Sequence, residues 1–147
     1  MERELAAPLF IDEASSNHGR DLSRAKAFVD AAADAGCGAV KFQLFKIDRM
    51  FAPEILAKSP KHRARAEWEL PLSHLAPLAG HCRARNIQFS CTPFYLEAVA
   101  ELAPFVDFYK VASYELLVDD LLKACAHAGK PVVLSPGMAT LDEIQAA

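Results

Sequence analysis

Apolar positions along the chain recur with two alternating periods, one of two residues and one near 3.6, which is the signature of strands alternating with helices. Leu9 to Glu13 reads as a first strand. Asp21 then caps a helix whose inward positions are Leu22, Ala25, Phe28, Val29, Ala32 and Ala33 and which stops at Gly36. Gly38 to Gln43 is a second strand. The stretch from Lys46 to Leu70 shows no sustained period; it is longer than most connections in a compact fold, which marks it as a candidate functional loop. Ser73 is placed to cap a helix running to Arg85, with Leu75, Leu78, Ala79 and Cys82 inward and Asn86 at its end. Ile87 to Thr92 is a third strand, followed by a short helix from Tyr95 to Ala103 halted by Pro104. Asp107 to Ala112 is a fourth strand, Leu116 to Ala128 a helix ended by Gly129, and Pro131 to Ser135 a fifth strand, before Thr140 opens another helix.

Strands and helices in strict alternation give the α/β class, a parallel sheet covered by helices. Five strands fit either an open doubly wound sheet or about the first half of a TIM (β/α)8-type barrel, which takes about 250 residues when closed. Length favours the open sheet. Against it, no turn carries Gly-x-Gly-x-x-Gly or a phosphate loop ending in Gly-Lys-Ser/Thr.

The polar exceptions to the pattern carry the chemistry. Lys110 shares its phase with Val106, Phe108 and Ala112, so an ammonium group falls on an apolar face, where it requires an anionic partner or ligand. The other strands end the same way: Glu13 in phase with Leu9 and Ile11, Lys41 in phase with Gln43, Ser90 with Thr92, and Ser135 with Val133. In a parallel sheet these ends meet at one rim, joined there by Ser113 and Glu115 just past the fourth strand. Two ammonium groups among hydroxyl donors make a receptor for a small multiply charged anion, such as a phosphate ester bearing a carboxylate. Glu13 and Glu115 are left to move protons or hold sugar hydroxyls.

Composition narrows the class further. With 147 residues, 52% of them hydrophobic, the chain has enough apolar surface for one core and is expected to be one domain. A net charge of −3 gives no general attraction to nucleic acid, and the basic run from Lys58 to Arg65, without interleaved aromatics, reads as a solvated loop or helix end, with a lid over an anionic substrate as its functional alternative. Met1 to Leu5 does not begin a secretory signal, and no apolar run reaches the roughly 18 residues of a membrane span, so the expected location is cytoplasmic, away from the membrane. Cys37, Cys82, Cys91 and Cys125 are too widely spaced for a metal knuckle and are expected as free thiols, Cys91 near a strand end being the one candidate for reactivity. No His/Asp/Glu set has metal-ligand spacing; His18 is the histidine nearest a strand end, whereas His62, His74, His81 and His127 read as surface or helix residues.

The strand-end segments Ile11-Asp12-Glu13 with Asn17-His18, Val40-Lys41-Phe42-Gln43, Cys91-Thr92-Pro93-Phe94, Tyr109 to Glu115 and Leu134 to Thr140 resemble, in order, those of the sialic acid synthase family. The resemblance spans nearly the whole chain. It implies a TIM-type barrel that condenses phosphoenolpyruvate with an N-acetylated amino sugar to give a nonulosonic acid and phosphate. It further implies that Lys41, Thr92, Lys110, Ser113 and Ser135 bind phosphoenolpyruvate, that Glu13, Gln43 and Glu115 face the sugar and reacting carbons, and that Glu115 handles the proton at the enol carbon. A divalent metal, manganese or magnesium, is expected with its ligands outside this chain, as are the later barrel strands and an antifreeze-like C-terminal domain. The chain departs from the family pattern at Gly19-Arg20, at Tyr114 and at Pro136. Residues 1–147 are thus expected as the N-terminal portion of one barrel domain, acting as a homodimer or self-paired half-barrel. The rival readings are a non-catalytic anion-binding module and a Schiff-base aldolase using Lys110.

Overall fold

Each strand lies beside the one that precedes it in the chain. In the computed structural model, which describes residues 8–147, β1 (Ile11–Ser15), β2 (Ala39–Leu44), β3 (Gln88–Pro93), β4 (Phe108–Val111) and β5 (Val132–Leu134) form one parallel sheet in the order β1-β2-β3-β4-β5. That order has no reversal. With right-handed crossovers, a sheet wound in one direction puts its connecting helices on a single face, whereas a doubly wound sheet must reverse to cover both. The order therefore overturns the preference for an open sheet that length suggested, and gives the singly wound arrangement of a (β/α) barrel. The reading of Met1 to Leu5 lies outside the described residues.

The helices follow their sequence signals closely where those are strong. Helix α1 (Leu22–Asp34) starts at Asp21, whose side chain accepts the Arg24 N–H at 2.9 Å, and gives way to Gly36 at a φ of 81°, a conformation open to glycine. Helix α8 (Leu141–Ala146) opens with a reciprocal capping box between Thr140 and Glu143. Helices α5 (Leu75–Ala84), α6 (Leu96–Leu102) and α7 (Asp119–His127) complete the cover. Their inward residues, among them Val29, Leu75, Leu78, Leu102 and Leu121, pack with Val40, Phe42, Phe89, Cys91, Tyr109 and Val111 of the strands in one cluster. The core is therefore the helix-covered side of the sheet, and the other parity, which carries the polar exceptions, is the side a closed barrel turns inward.

Three local expectations are corrected. The first strand runs past Glu13 to Ser15, with a bulge between the two that lets Ser15 take a φ of 55°. Ser73 does not cap a helix: it lies within a 3₁₀ turn, Leu72–His74, that leads into α5 from Pro71. The stretch after β2 is not irregular but folds into α2 (Ile47–Met50), α3 (Pro53–Lys58), α4 (Pro60–Ala64) and a 3₁₀ turn at Arg65–Trp68, with Pro53 and Pro60 at first helical positions, where a missing N–H loses no bond. Among the described residues no helix is long and apolar enough to cross a membrane.

Candidate active site

Parallel pairing places the polar exceptions side by side. Glu13 stands opposite Lys41, Lys41 opposite Ser90, and one pleat further on Gln43 stands opposite Thr92. Lys41 is only 7% exposed, and two partners hold its Nζ: it lies 2.6 Å from Glu13 Oε2 and donates to Thr92 Oγ1 at 3.2 Å, which leaves a third N–H to donate. Glu13 itself remains about half exposed, so the pair sits at the boundary between sheet and solvent, where a dianion can reach the ammonium. Ser90, lower in the same row, is fully buried and donates to the Phe108 carbonyl at 3.0 Å.

Lys110 Nζ donates to Ser135 Oγ and, at 2.9 Å, to the carbonyl of Val111. Burial presses the Lys110 ammonium below its usual range, the Lys41 charge adds to that, and Glu13 and Glu115 act against it. The two lysines thus feel each other: β2 and β4 bring both cations to one rim. Just beyond β4, a 3₁₀ turn at Ser113–Glu115 sets the Glu115 carboxyl partly out of water; burial lifts its pKa above the ordinary glutamate range, partly offset by its own backbone hydrogen bond and by Lys110. Its Oε2 is buried without a hydrogen-bond partner. An unpartnered buried oxygen costs about 1–3 kcal/mol, so Glu115 is poised to take a proton or a donor from a ligand. Ser113 packs against Gly137, where an added Cβ would come within 3.3 Å of the Ser113 Cβ; the small residue lets the β5–α8 turn approach the site.

A cleft of about 590 Å³ extends from Glu115, Ser113 and Ala112 across Gln43 to Met50, Phe51, Phe94 and Arg65. Of the eight sequence-derived site residues, Gln43, Ser113 and Glu115 line this cleft, while Glu13, Lys41, Thr92, Lys110 and Ser135 lie outside its lining, along the strands and just past β5. Arg65 is the residue that the sequence reading missed. Its run was read as a solvated loop or helix end, with a lid over an anionic substrate as the alternative, and no single residue of it was singled out; its guanidinium lies over the rings of Phe51 and Trp68, aromatics that flank the basic stretch in sequence and were the available signal.

Two further expectations are settled by burial. Cys91 is fully buried and its thiol is pushed far up, with Cys82 raised to about 12, so neither is a nucleophile near neutral pH. All four cysteines are free thiols. His18 is fully buried, its Nδ1 accepting the Arg20 N–H at 2.9 Å, and burial first, then nearby His74, lowers its pKa to about 4. It holds the turn after β1 as a neutral ring. Of the histidines read as surface or helix residues, His74 has a buried Nδ1 and His81 meets Asp30 at 2.9 Å. Among the described residues no three His, Cys, Asp or Glu side chains gather as a metal-ligand set.

A singly wound β/α sheet that gathers two lysines, hydroxyl donors and an unpartnered glutamate at the ends of its strands has the architecture of a (β/α) barrel protein. Residues 28–147 match the NeuB family, and the chain belongs to that family. It is 36% identical over 150 residues to the N,N'-diacetyllegionaminic acid synthase of Campylobacter jejuni, covering 95% of this chain and 45% of that protein. It is 33% identical to the spore coat polysaccharide biosynthesis protein SpsE of Bacillus subtilis, covering 96% of this chain and 40% of that one. The crystal structure of the N-acetylneuraminic acid synthetase of Leptospira borgpetersenii superposes with a TM-score of 0.85 at 33% identity, over 95% of this chain and 48% of that one. The chain thus spans somewhat less than half the length of these relatives.

Proposed function

We propose that these residues form the phosphoenolpyruvate-binding half of a nonulosonic acid synthase. Lys41 and Lys110, with Thr92, Ser113 and Ser135, hold the carboxylate and phosphate, while Glu13, Gln43 and Glu115 face the acceptor, an N-acylated amino sugar in its open aldehyde form. In the reaction, the enol carbon of phosphoenolpyruvate forms a bond to the aldehyde carbon, whose oxygen takes up a proton; water adds at the neighbouring carbon and phosphate departs. Because the enol methylene keeps both its hydrogens, the proton for Glu115 to supply is the one the aldehyde oxygen takes up, a role suited to a carboxyl whose pKa is raised above its ordinary range. A divalent cation, manganese or magnesium, would supply Lewis-acid polarisation of the aldehyde when bound. The described residues offer no complete ligand set for it, and we place its ligands outside them.

The observation that carries the reading is the row of strand ends, where Lys41 meets Glu13 and Thr92 across β1, β2 and β3, and Lys110 meets Ser135 just past β5. The Leptospira relative, crystallised with the small polyanion citrate, is in keeping with it. The decisive assay is phosphoenolpyruvate binding: these residues, without the cation's ligands, are expected to bind it and release no phosphate, and absence of binding ends the proposal. Phosphate release that requires phosphoenolpyruvate, the amino sugar and manganese together is expected only where those ligands are present, and its absence there points to a non-catalytic anion-binding module. A lysine pressed toward its neutral form favours one rival, a Schiff-base aldolase with Lys110 as nucleophile. Borohydride in the presence of pyruvate would then fix a covalent adduct on Lys110; a synthase of the kind proposed gives none.

A further inference from the structure

The turn after β1 is rooted in the core and reaches outward. His18 is fully buried, its ring 6.2 Å from that of Phe42 on β2, and its Nδ1 accepts the Arg20 N–H at 2.9 Å. That bond holds Arg20 at a φ of 61°, a left-handed conformation that glycine takes without strain and a residue with a Cβ does not. Gly19-Arg20 is also one of the chain's departures from the family pattern, so the strained arginine is this chain's own.

Its other end shows what the strain is used for. Arg20 Nη1 donates to the Ala66 carbonyl at 3.0 Å and lies 3.9 Å from Glu69 Oε2. The same Ala66 oxygen accepts the Glu69 N–H and so closes the Arg65–Trp68 turn, while Glu69 accepts the Ile47 N–H. One side chain thus bears on both ends of the segment between β2 and α5, on its last turn directly and on Ile47 through Glu69. Among the described residues, the bond from Arg20 to Ala66 is the one hydrogen bond between the β1 turn and that segment. Beside it lies a hollow of about 340 Å³ lined by Ser16, Asn17, Gly19, Arg24 and Trp68. The two elements are tied across a gap, not packed together. On its other flank the segment meets α6 through two further side-chain pairs, Lys46 with Glu101 and Arg49 with Glu97.

We propose that Arg20 is a positioning residue, a strap that holds down the Arg65–Trp68 turn and with it the Arg65 and Phe51 side of the 590 Å³ cleft. The cleft opens when the guanidinium lets go of Ala66 and Glu69 and closes when it regains them. This goes beyond the synthase reading and does not rest on it.

Trp68 is the chain's one tryptophan and is 49% exposed, so its fluorescence reports this turn alone. Arg20→Gly removes the strap and the strain together. In the 147-residue chain, acrylamide quenching of Trp68 is expected to rise by up to about twofold as the indole goes from half to full exposure. Amides from Ile47 to Trp68 should exchange about five- to tenfold faster, the loss of one charge-assisted hydrogen bond, while Tm stays level or rises because glycine suits the turn. A looser segment at undiminished stability is a pairing that a merely structural arginine does not give. Arg20→Lys keeps the strain and a cation with a single donor group; it should quench between wild type and Arg20→Gly and melt no higher than wild type. Quenching and exchange unchanged in Arg20→Gly would overturn the proposal. So would a lower Tm with exchange accelerated uniformly into β2 and β3, which would make Arg20 part of the global fold. Phosphoenolpyruvate titration is a separate readout, whose failure strikes the synthase reading and leaves the strap standing.

Discussion

Glu115 is the residue on which pH acts most directly. Its carboxyl is raised above the ordinary glutamate range because burial disfavours the charged form, so across the window just above that range the folded chain holds more protons than the unfolded one. Stability must then fall as pH rises through that window. Glu115→Gln removes the charge and keeps the shape, and the variant is expected to melt higher than the wild type at pH 7, with the gap closing by pH 4; Tm measured by circular dichroism at both values checks this. A gap that widens on acidification would mean that Lys110 outweighs desolvation. The positions of Lys41 and Lys110 were legible in the sequence because period-two parity is unforgiving: a charge in phase with Phe108 or Ala39 has nowhere else to point. Arg65 was not, because no period governs short helices: Phe51 lies just past α2, and Trp68 closes the 3₁₀ turn that Arg65 opens.

At the scale of elements, the segment between β2 and α5 is held to the sheet by few bonds. Glu69 Oε1 accepts the Ile47 N–H at 2.8 Å, meeting one of the orphan donors at the start of α2, and its other oxygen lies 3.9 Å from Arg20. Lys46 meets Glu101 at 3.2 Å, tying the exit of β2 to α6. Glu69→Ala is expected to cost about 1–2 kcal/mol locally, the usual loss for an N-terminal cap. Hydrogen exchange should speed up at Ile47 and through α3 and α4, while amides in β2 and β3 keep their protection; uniform acceleration would show that the segment is part of the global fold and not a separately held lid. The sequence foresaw a long connection here but not its helices, since α2 to α4 are each too short to show a repeating apolar face. The strands and long helices were foreseen to within three residues, most closely where Asp21, Gly36, Thr140 and Asn86 punctuate them with caps and turns that have few alternatives, and least at β1 and at the start of α7, expected from Leu116 and found from Asp119.

Among the described residues the sheet ends at two edge strands, β1 and β5, with an apolar surface beside the second. Tyr114 and Met138 stand 90% and 105% exposed, and with Leu117 they line a cleft of about 300 Å³ between the turns after β4 and β5. Edges of this kind pair with whatever strand is offered. In a closed barrel, further strands would cover β5; the 147 residues on their own are expected to self-associate, with a sedimentation coefficient that rises with concentration over the micromolar range. Leu134→Lys, which puts a charge on β5, should shift that equilibrium toward monomer. A chain that stays monomeric at every concentration would mean that α8 and the β5 edge are already sufficiently protected. The one-way strand order, the property that decides between barrel and open sheet, could not be read from residue types, because each strand's sequence reports its faces and not its neighbours.

Binding of phosphoenolpyruvate to the chain, followed by titration calorimetry for the wild type and for Lys41→Ala and Lys110→Ala, bears most directly on whether β2 and β4 build one anion site. Each substitution is expected to weaken binding by about tenfold to a hundredfold and to flatten its salt dependence, because each removes one charge-assisted contact from a shared dianion. Unchanged affinity in both variants, with their folds intact by circular dichroism, would contradict it.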